Sequence, residues 1–210
     1  MTVLSAFAPP RDKRLLKGLM GRSFDRLGSA VRDLHGTEQI GYWRGLAQVK
    51  RGTSLLSRLV GWWFHFPPAG FYPRMSVTVL RDRLGEVWMR GFESHDIKTR
   101  LKPSAPGARI VREDFGLVEF DLRTGVKDGA LTLDVVGMRT LGIPTPRLLW
   151  PHLTAEESQE DGWFCFDIKI DMPWRAPLIH YLGWLEGSAG LSKAGRVVQA
   201  VSGASASAPS

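Results

Sequence analysis

The spacing of hydrophobic residues changes along the chain, from helical steps to strict alternation. Apolar residues recur every three or four positions over residues 11–35 and 53–66, and a strand-like stretch, Ile40–Lys50, lies between them. Beyond Pro73 apolar and polar residues alternate, which gives each strand one buried and one wetter face and is typical of antiparallel sheets. The inward positions of four such runs are Met75, Val77 and Val79; Val118, Phe120 and Leu122; Leu131, Leu133 and Val135; and Phe164, Phe166, Ile168 and Ile170.

Turn dipeptides separate the alternating runs. Asp128-Gly129 and Asp161-Gly162 suit tight hairpin turns that need positive φ, and no helical pattern lies between the strands. The sequence therefore predicts an α+β fold that is mainly antiparallel β, with about eight to ten strands in a meander between Ile40 and Glu186. We expect a curled or barrel-like sheet, with the N-terminal helix, broken near Gly21, and the 53–66 helix packed on it.

Residues 53–70 form the stretch with the most apolar surface. On a helix, one wide face collects Leu55, Leu56, Leu59, Val60, Trp62, Trp63 and Phe66, and the opposite face collects Ser54, Ser57, Arg58, Gly61 and His65. Pro67-Pro68 ends the helix because proline lacks the backbone N–H and clashes with the preceding turn. The nearby sheet favours burial of the apolar face within this domain, where it either plugs a solid core or covers a cavity.

A cavity under this helix leads to the first functional hypothesis, a non-enzymatic domain that binds a hydrophobic, lipid-like molecule. The helix would supply apolar contacts and a polar group at the cavity mouth, and the last strand a second polar pair. An anionic headgroup would meet a basic side chain of the helix. The candidate ligand-binding residues are Arg58, Trp62, Trp63, Phe64, His65, Phe66, His180 and Tyr181.

Two further hypotheses stay open. The first is a small enzyme or redox accessory protein that acts on an apolar substrate through His65, His95 or His180 with a nearby carboxylate. The second is a peripheral membrane protein attached through the 53–66 helix. No nucleotide-binding glycine motif, serine elbow or Cys/His grouping occurs, so we expect neither a cofactor nor a metal, and the balance favours a protein that is not an enzyme.

Charge and cysteine content bear on partners and compartment. The formal charge of +7 and pI of about 9.9 favour acidic partners, but the basic residues are scattered. We therefore expect at most weak attraction to an anionic membrane surface and no nucleic acid binding. The lone Cys165 rules out an internal disulfide, and no signal peptide or membrane span is recognisable. These features predict a cytoplasmic protein, or one at the inner membrane face.

Composition also suggests the domain boundaries. Residues 11–186 carry the periodic patterns of a single globular domain, whereas residues 187–210 are rich in Gly, Ser and Ala. We expect residues 1–10 and 187–210 to be flexible.

Several short motifs, spread over residues 15–186, resemble one known family. They are Leu34-His35-Gly36, Gly45 to Gly52, Pro67-Pro68-Ala69-Gly70, Trp88-Met89-Arg90-Gly91-Phe92, Leu141-Gly142-Ile143-Pro144-Thr145-Pro146, Glu157-Ser158, Asp161-Gly162, Phe166-Asp167 and Tyr181-Leu182-Gly183-Trp184-Leu185. As a set they are similar to the bacterial family called domain of unknown function 4166, whose members stand alone or are fused to saccharopine-dehydrogenase-like NAD(P)-binding domains. The resemblance implies one intact domain, no assignable activity, and a separate dehydrogenase-like protein as the partner for any redox role.

Overall fold

A computed structural model describes residues 14–37, 40–104 and 109–187. The helices in these residues are α1 (Leu15–Met20), α2 (Ser29–Gly36) and α3 (Leu55–Trp63), with short 3₁₀ helices at Gly21–Arg26 and Arg147–Leu149. The strands are β1 (Ile40–Arg51), β2 (Gly70–Asp82), β3 (Gly85–Phe92), β4 (His95–Pro103), β5 (Ile110–Asp114), β6 (Val118–Lys127), β7 (Ala130–Thr140), β8 (Ile143–Pro144), β9 (His152–Glu160), β10 (Trp163–Asp171) and β11 (Pro177–Gly187). The predicted flexible segment 1–10 lies outside the described residues, and so does the predicted tail 187–210 except Gly187.

Ten strands close into an antiparallel barrel. The order around the sheet is β6-β5-β4-β3-β2-β1-β11-β10-β9-β7, and pairing between β6 and β7 closes the ring. The short β8 pairs only with β7 and stands outside the closed ring. This confirms the predicted mainly antiparallel, barrel-like fold. Closure leaves the ten strands of the ring without a free edge, which removes the unpaired backbone groups of an open sheet.

The alternating runs lie on the inner side of the barrel, as their period predicts. Met75, Val77 and Val79 belong to the buried core, whereas Ile168 and Ile170 are half-buried and pack against it. The predicted hairpin turns are also confirmed, because Asp128, Gly129, Asp161 and Gly162 all have positive φ.

One end of the barrel is closed by the N-terminal helices. Their apolar side chains are buried, and they include Leu15, Leu16, Met20, Phe24, Leu27, Val31 and Leu34. The helix breaks where glycine permits it, since Gly21 has a φ of 55° after the last residue of α1. Gly28 N–H donates to the Gly129 carbonyl in the β6–β7 turn, at 2.9 Å. We call this end the capped end.

Helix α3 lies at the opposite end, and its orientation corrects the sequence prediction. The predicted buried face is largely exposed: Leu55 is 83% exposed, Trp62 72% and Trp63 52%. The buried residues of α3 are Ser57 and Gly61, which belong to the face expected to be polar. Trp62 and Trp63 therefore do not plug the core.

Close contacts explain why the small face of α3 packs inward. The Ser57 hydroxyl donates to the Pro177 carbonyl at 2.8 Å, and Ser54 caps the helix by accepting from Ser57 N–H. An ideal Cβ on Gly61 would lie 1.6 Å from Arg51 Nη2, so only glycine lets the guanidinium pass. Arg51 Nη1 donates to the carbonyls of Phe66 and Pro67, at 2.9 and 3.0 Å. The arginine thus fixes the segment that follows α3 to the barrel.

Candidate ligand cavity

A cavity of about 390 Å³ lies inside the barrel between the capped end and α3. Its volume is within the range of small-molecule sites, and its lining is mostly apolar. The strands contribute Ile97, Val118, Phe120, Leu122, Leu133, Val135, Met138, Leu153, Ala155, Ile168, Ile170 and Leu178. The helix α3 and the connecting segments contribute Leu56, Val60, Phe64, Phe66, Phe115, Leu149, Pro151, Met172, Pro173 and Trp174.

Four ionisable side chains complete this lining, Arg90, Glu113, Glu157 and Tyr181, which we call the polar floor. Arg90 Nη2 donates to Glu113 Oε1 at 3.1 Å, and its Nη1 donates to the Thr99 hydroxyl at 2.9 Å. Burial alone would lower the pKa of Arg90, but the neighbouring Glu113, Tyr181 and Glu157 outweigh it and raise the pKa. The guanidinium therefore stays charged, although only 16% of the Arg90 side chain is exposed to solvent.

Tyr181 supplies a hydrogen-bond donor to the cavity. Burial, as the main cause, raises the pKa of Tyr181 to about 12; Arg90 opposes the shift, and Glu113 and Glu157 add to it. The phenol therefore keeps its proton at neutral pH. Among the residues that the structure describes, the Tyr181 hydroxyl has no hydrogen-bond partner, so it is free to donate to a molecule in the cavity.

Glu157 links the polar floor to the capped end. Its carboxylate is hydrogen-bonded to Nε2 of the buried His35, on α2. A second space of about 20 Å³ is bordered by Arg90, Glu157 and Tyr181 and by Leu34 of α2. The polar floor therefore separates the large cavity from a space with room for about one water molecule.

The opening of the cavity is surrounded by exposed apolar side chains. Strands β1 and β10 end, and β2, β9 and β11 begin, at the end opposite α1 and α2. We call this the mouth end. The apolar rim consists of Leu55, Leu56, Leu59, Trp62, Trp63, Leu148, Leu149 and Trp174, all of them exposed. Among these, Leu56, Leu149 and Trp174 also line the cavity, so the rim is continuous with the interior.

Exposed apolar residues are concentrated at this end of the molecule. Twelve of the fourteen large hydrophobic side chains that are exposed in the described ranges lie at the mouth end. They are the eight residues of the apolar rim together with Phe71, Leu117, Leu141 and Ile143. The other two, Ile40 and Leu84, lie at the capped end. None of the described helices has the length and hydropathy needed to cross a bilayer.

The structure brings some of the predicted candidate residues to the cavity and leaves others outside its lining. Phe64, Phe66 and Tyr181 line it, and Phe64 stacks on Phe66 with ring centroids 5.6 Å apart. The remaining candidates, Arg58, Trp62, Trp63, His65 and His180, are not among the lining residues.

The histidines of the enzyme hypothesis do not meet in the cavity. His180 Nε2 pairs with Asp167 at 2.8 Å, but neither residue lines the cavity. His65 is exposed, and His95 Nδ1 lies 3.1 Å from the Ser94 hydroxyl. In the described part of the chain, no group of three or more His, Cys, Asp or Glu side chains could hold a metal ion.

Sequence reasoning missed three of the four residues of the polar floor. Arg90 is at an inward position between Trp88 and Phe92 on β3, and Glu157 follows the inward Ala155 on β9. The signal that the sequence offered was the two-residue alternation of the strands. A charged residue two positions from a buried neighbour on the same strand faces the inside of a barrel. Arg90, Glu157, Tyr181 and also His35 belong to motifs that carry the family resemblance.

By its fold and site, the protein is a closed ten-stranded antiparallel barrel with one capped end and an internal apolar cavity. The chain belongs to the family described as domain of unknown function 4166, whose model matches residues 27–185. No curated protein matches the chain. Its structure is similar to that of a protein of unknown function from the DUF3598 family of Nostoc punctiforme, with 15% identity and a TM-score of 0.43. That match covers 70% of this chain and 46% of the Nostoc chain, so this chain spans less than half of that protein.

Proposed function

We propose that the barrel binds one apolar small molecule in its cavity, with the molecule's polar end at Tyr181. The observation that carries this proposal is the cavity of about 390 Å³, with apolar walls and a polar floor at its inner end. A few polar groups that converge in an otherwise apolar pocket are the usual arrangement of a small-ligand site. The walls bind the body of the ligand, and the floor orients it.

The charges of the floor indicate the chemistry of the ligand's polar end. Arg90 is already paired with Glu113, and Glu157 adds a second carboxylate nearby. An anionic ligand would bring a third negative group towards these two carboxylates, which is unfavourable in a low-dielectric site. The unpartnered Tyr181 hydroxyl favours a neutral acceptor. The ligand class that fits best is therefore an apolar alcohol, ketone or ester.

The test is a titration with Nile red, a neutral apolar dye that carries a carbonyl and fluoresces in apolar surroundings. Val135→Trp places an indole inside the cavity, whereas Asp134→Trp places the same side chain at the exposed neighbouring position. We expect the wild type and Asp134→Trp to bind the dye with equal affinity and Val135→Trp to bind at least roughly tenfold more weakly, because the filled cavity has lost apolar contact area. Thermal unfolding of each variant controls for loss of the fold.

Equal binding of Nile red by the folded Val135→Trp variant would contradict the proposal, because the dye would then be bound outside the cavity. Absence of binding by the wild type would also contradict it.

A further inference from the structure

We propose that the apolar rim docks the protein onto the surface of a bilayer that contains anionic phospholipid, so that the cavity mouth faces the lipid. Docking itself needs no ligand. Ligand exchange between the bilayer and the cavity, in contrast, rests on the proposed function.

The exposure of the rim is built into the packing of α3. Ser57 and Gly61 hold the small face of the helix against Pro177 and Arg51, which leaves Leu55, Leu59 and Trp62 pointing away from the barrel. Scattered apolar residues are common on protein surfaces, but their concentration at one end, around a cavity that three of them line, is typical of an interaction site. Tryptophan favours the boundary between headgroups and acyl chains, because its ring is apolar and its N–H is polar.

The charged residues beside the rim indicate which kind of surface the rim contacts. Each of its three segments carries one exposed arginine, Arg58 on α3, Arg147 beside Leu148, and Arg175 beside Trp174. None of the three forms an ion pair within the described ranges, and residues 53–68, 145–151 and 172–176 contain no Asp or Glu. Apolar side chains interspersed with unpaired arginines complement anionic headgroups above acyl chains.

Five acidic residues in the described ranges lie near this end, Glu93, Asp96, Asp114, Glu119 and Asp171. Asp114 and Glu119 pair with Lys102, and Asp171 is buried and pairs with Lys169. Glu93 and Asp96 are on or beside the β3–β4 turn, and residues 93–96 contribute nothing to the cavity lining. Contact through the three rim segments therefore keeps the carboxylates of Glu93 and Asp96 out of the docked face.

A bilayer fits the rim better than a second copy of the chain does. A symmetric contact between two rims would bring Arg58, Arg147 and Arg175 of both copies together, and the net charge of +7 per chain would add to the repulsion. An anionic bilayer turns the same charges into attraction, worth roughly fivefold in affinity for each arginine near the surface.

The test is flotation of the protein with vesicles of phosphatidylcholine alone and of phosphatidylcholine mixed with phosphatidylglycerol. The rim variant is Trp62→Ser/Trp63→Ser, and the matched control is Ile40→Ser/Leu84→Ser, which removes exposed apolar side chains at the capped end. We expect the wild type and the control to float with the mixed vesicles and the rim variant to bind roughly tenfold more weakly or worse, since two exposed indoles are lost. Arg58→Gln/Arg147→Gln/Arg175→Gln should weaken binding to the mixed vesicles and leave binding to pure phosphatidylcholine unchanged.

Equal flotation of the wild type and the rim variant would overturn the docking proposal. A wild type that elutes as a dimer and becomes a monomer on Trp62→Ser/Trp63→Ser would also overturn it, by assigning the rim to self-association.

These assays test the docking proposal and the ligand-binding proposal independently. Val135→Trp should float with the mixed vesicles like the wild type while it loses Nile red binding in their absence. If Val135→Trp retains Nile red binding, the proposed function fails while docking stands. If Trp62→Ser/Trp63→Ser keeps both activities, docking fails and the cavity proposal stands.

Discussion

At the scale of single residues, the barrel interior carries charges at positions where strand alternation usually places apolar side chains. Arg90, Glu113 and Glu157 are inward, and Thr99 donates to Glu113 at 2.8 Å. Such a group is costly when one member is removed, because the remaining charge is buried without a partner. The stability of the fold is consequently sensitive to single substitutions of the three charged residues of the polar floor.

We expect Arg90→Met to lower the free energy of unfolding by about 3 kcal/mol, because Glu113 and Glu157 then lose their shared cation. Arg90→Met/Glu113→Leu should be less destabilised than Arg90→Met alone, since it removes a stranded carboxylate. Urea denaturation measures both differences. A double variant that loses the sum of the two single effects would show that the pair is not coupled.

Tyr181→Phe separates binding from stability. The hydroxyl has no partner among the described residues, so we expect an unchanged melting temperature but Nile red affinity lower by about 1 kcal/mol, or roughly fivefold. Tyr72→Phe is the matched control, because the Tyr72 hydroxyl donates to the Pro68 carbonyl at 2.9 Å and does not line the cavity. Tyr72→Phe should lower the melting temperature and leave the affinity for Nile red unchanged. A Tyr181→Phe variant that binds Nile red as tightly as the wild type would show that Tyr181 is not part of the ligand site.

Asp121 makes stability depend on acid pH. Burial alone would raise its pKa, but hydrogen bonds from Arg112, Arg139 and Ser104 lower the pKa from 3.8 to about 2. The folded state therefore holds the ionised form more strongly than the unfolded state does, and the stabilisation is complete above pH about 4. We expect it to disappear as pH falls from about 4 to about 2, with a loss on the order of 2 kcal/mol.

Unfolding free energies of the wild type and Asp121→Asn, compared across this pH range, measure the contribution of Asp121. The difference between the two proteins should shrink towards acid pH. A difference that is constant with pH would show that Asp121 does not titrate as described.

At the scale of elements, α3 shows what periodicity predicts and what it leaves open. The pattern separates an apolar face from a small polar one, and both faces exist in the structure. Periodicity does not determine which face packs inward, because that depends on the surface that receives the helix. The receiving surface is Arg51 and Pro177, which accepts Gly61 and Ser57 but has no space for larger side chains. The Ser57–Gly61 spacing of four residues was the only sequence signal of this close approach.

Gly61→Ala tests how α3 is held. Its Cβ would lie 1.6 Å from Arg51 Nη2 and displace the guanidinium that binds the Phe66 and Pro67 carbonyls. We expect destabilisation by about 2 kcal/mol, measured by thermal or urea unfolding. Gly36→Ala is the control, since its Cβ would meet nothing within 4 Å, and it should be neutral or slightly stabilising. Equal stability of the two variants would contradict the described packing of α3.

At the scale of the whole molecule, the barrel has one end closed by α1 and α2 and one end bordered by the apolar rim. The sequence predicted a curled or barrel-like antiparallel sheet because alternation and turn residues are local signals, as in the run from Val118 to Leu122 and the turn at Asp128. The sequence left open whether the interior holds a cavity or a solid core, because open volume depends on how far inward side chains reach across the barrel. A small side chain such as Ala155 among larger neighbours leaves space that no local pattern reveals.

Ligand binding in the cavity can be tested by native mass spectrometry of the protein purified from the cells that make it. We expect a population that carries one small apolar molecule per chain, which is retained by Asp134→Trp and lost in the folded Val135→Trp variant. Chains of Val135→Trp that carry the same molecule as the wild type, or wild-type chains that are uniformly ligand-free, would contradict ligand binding in the cavity.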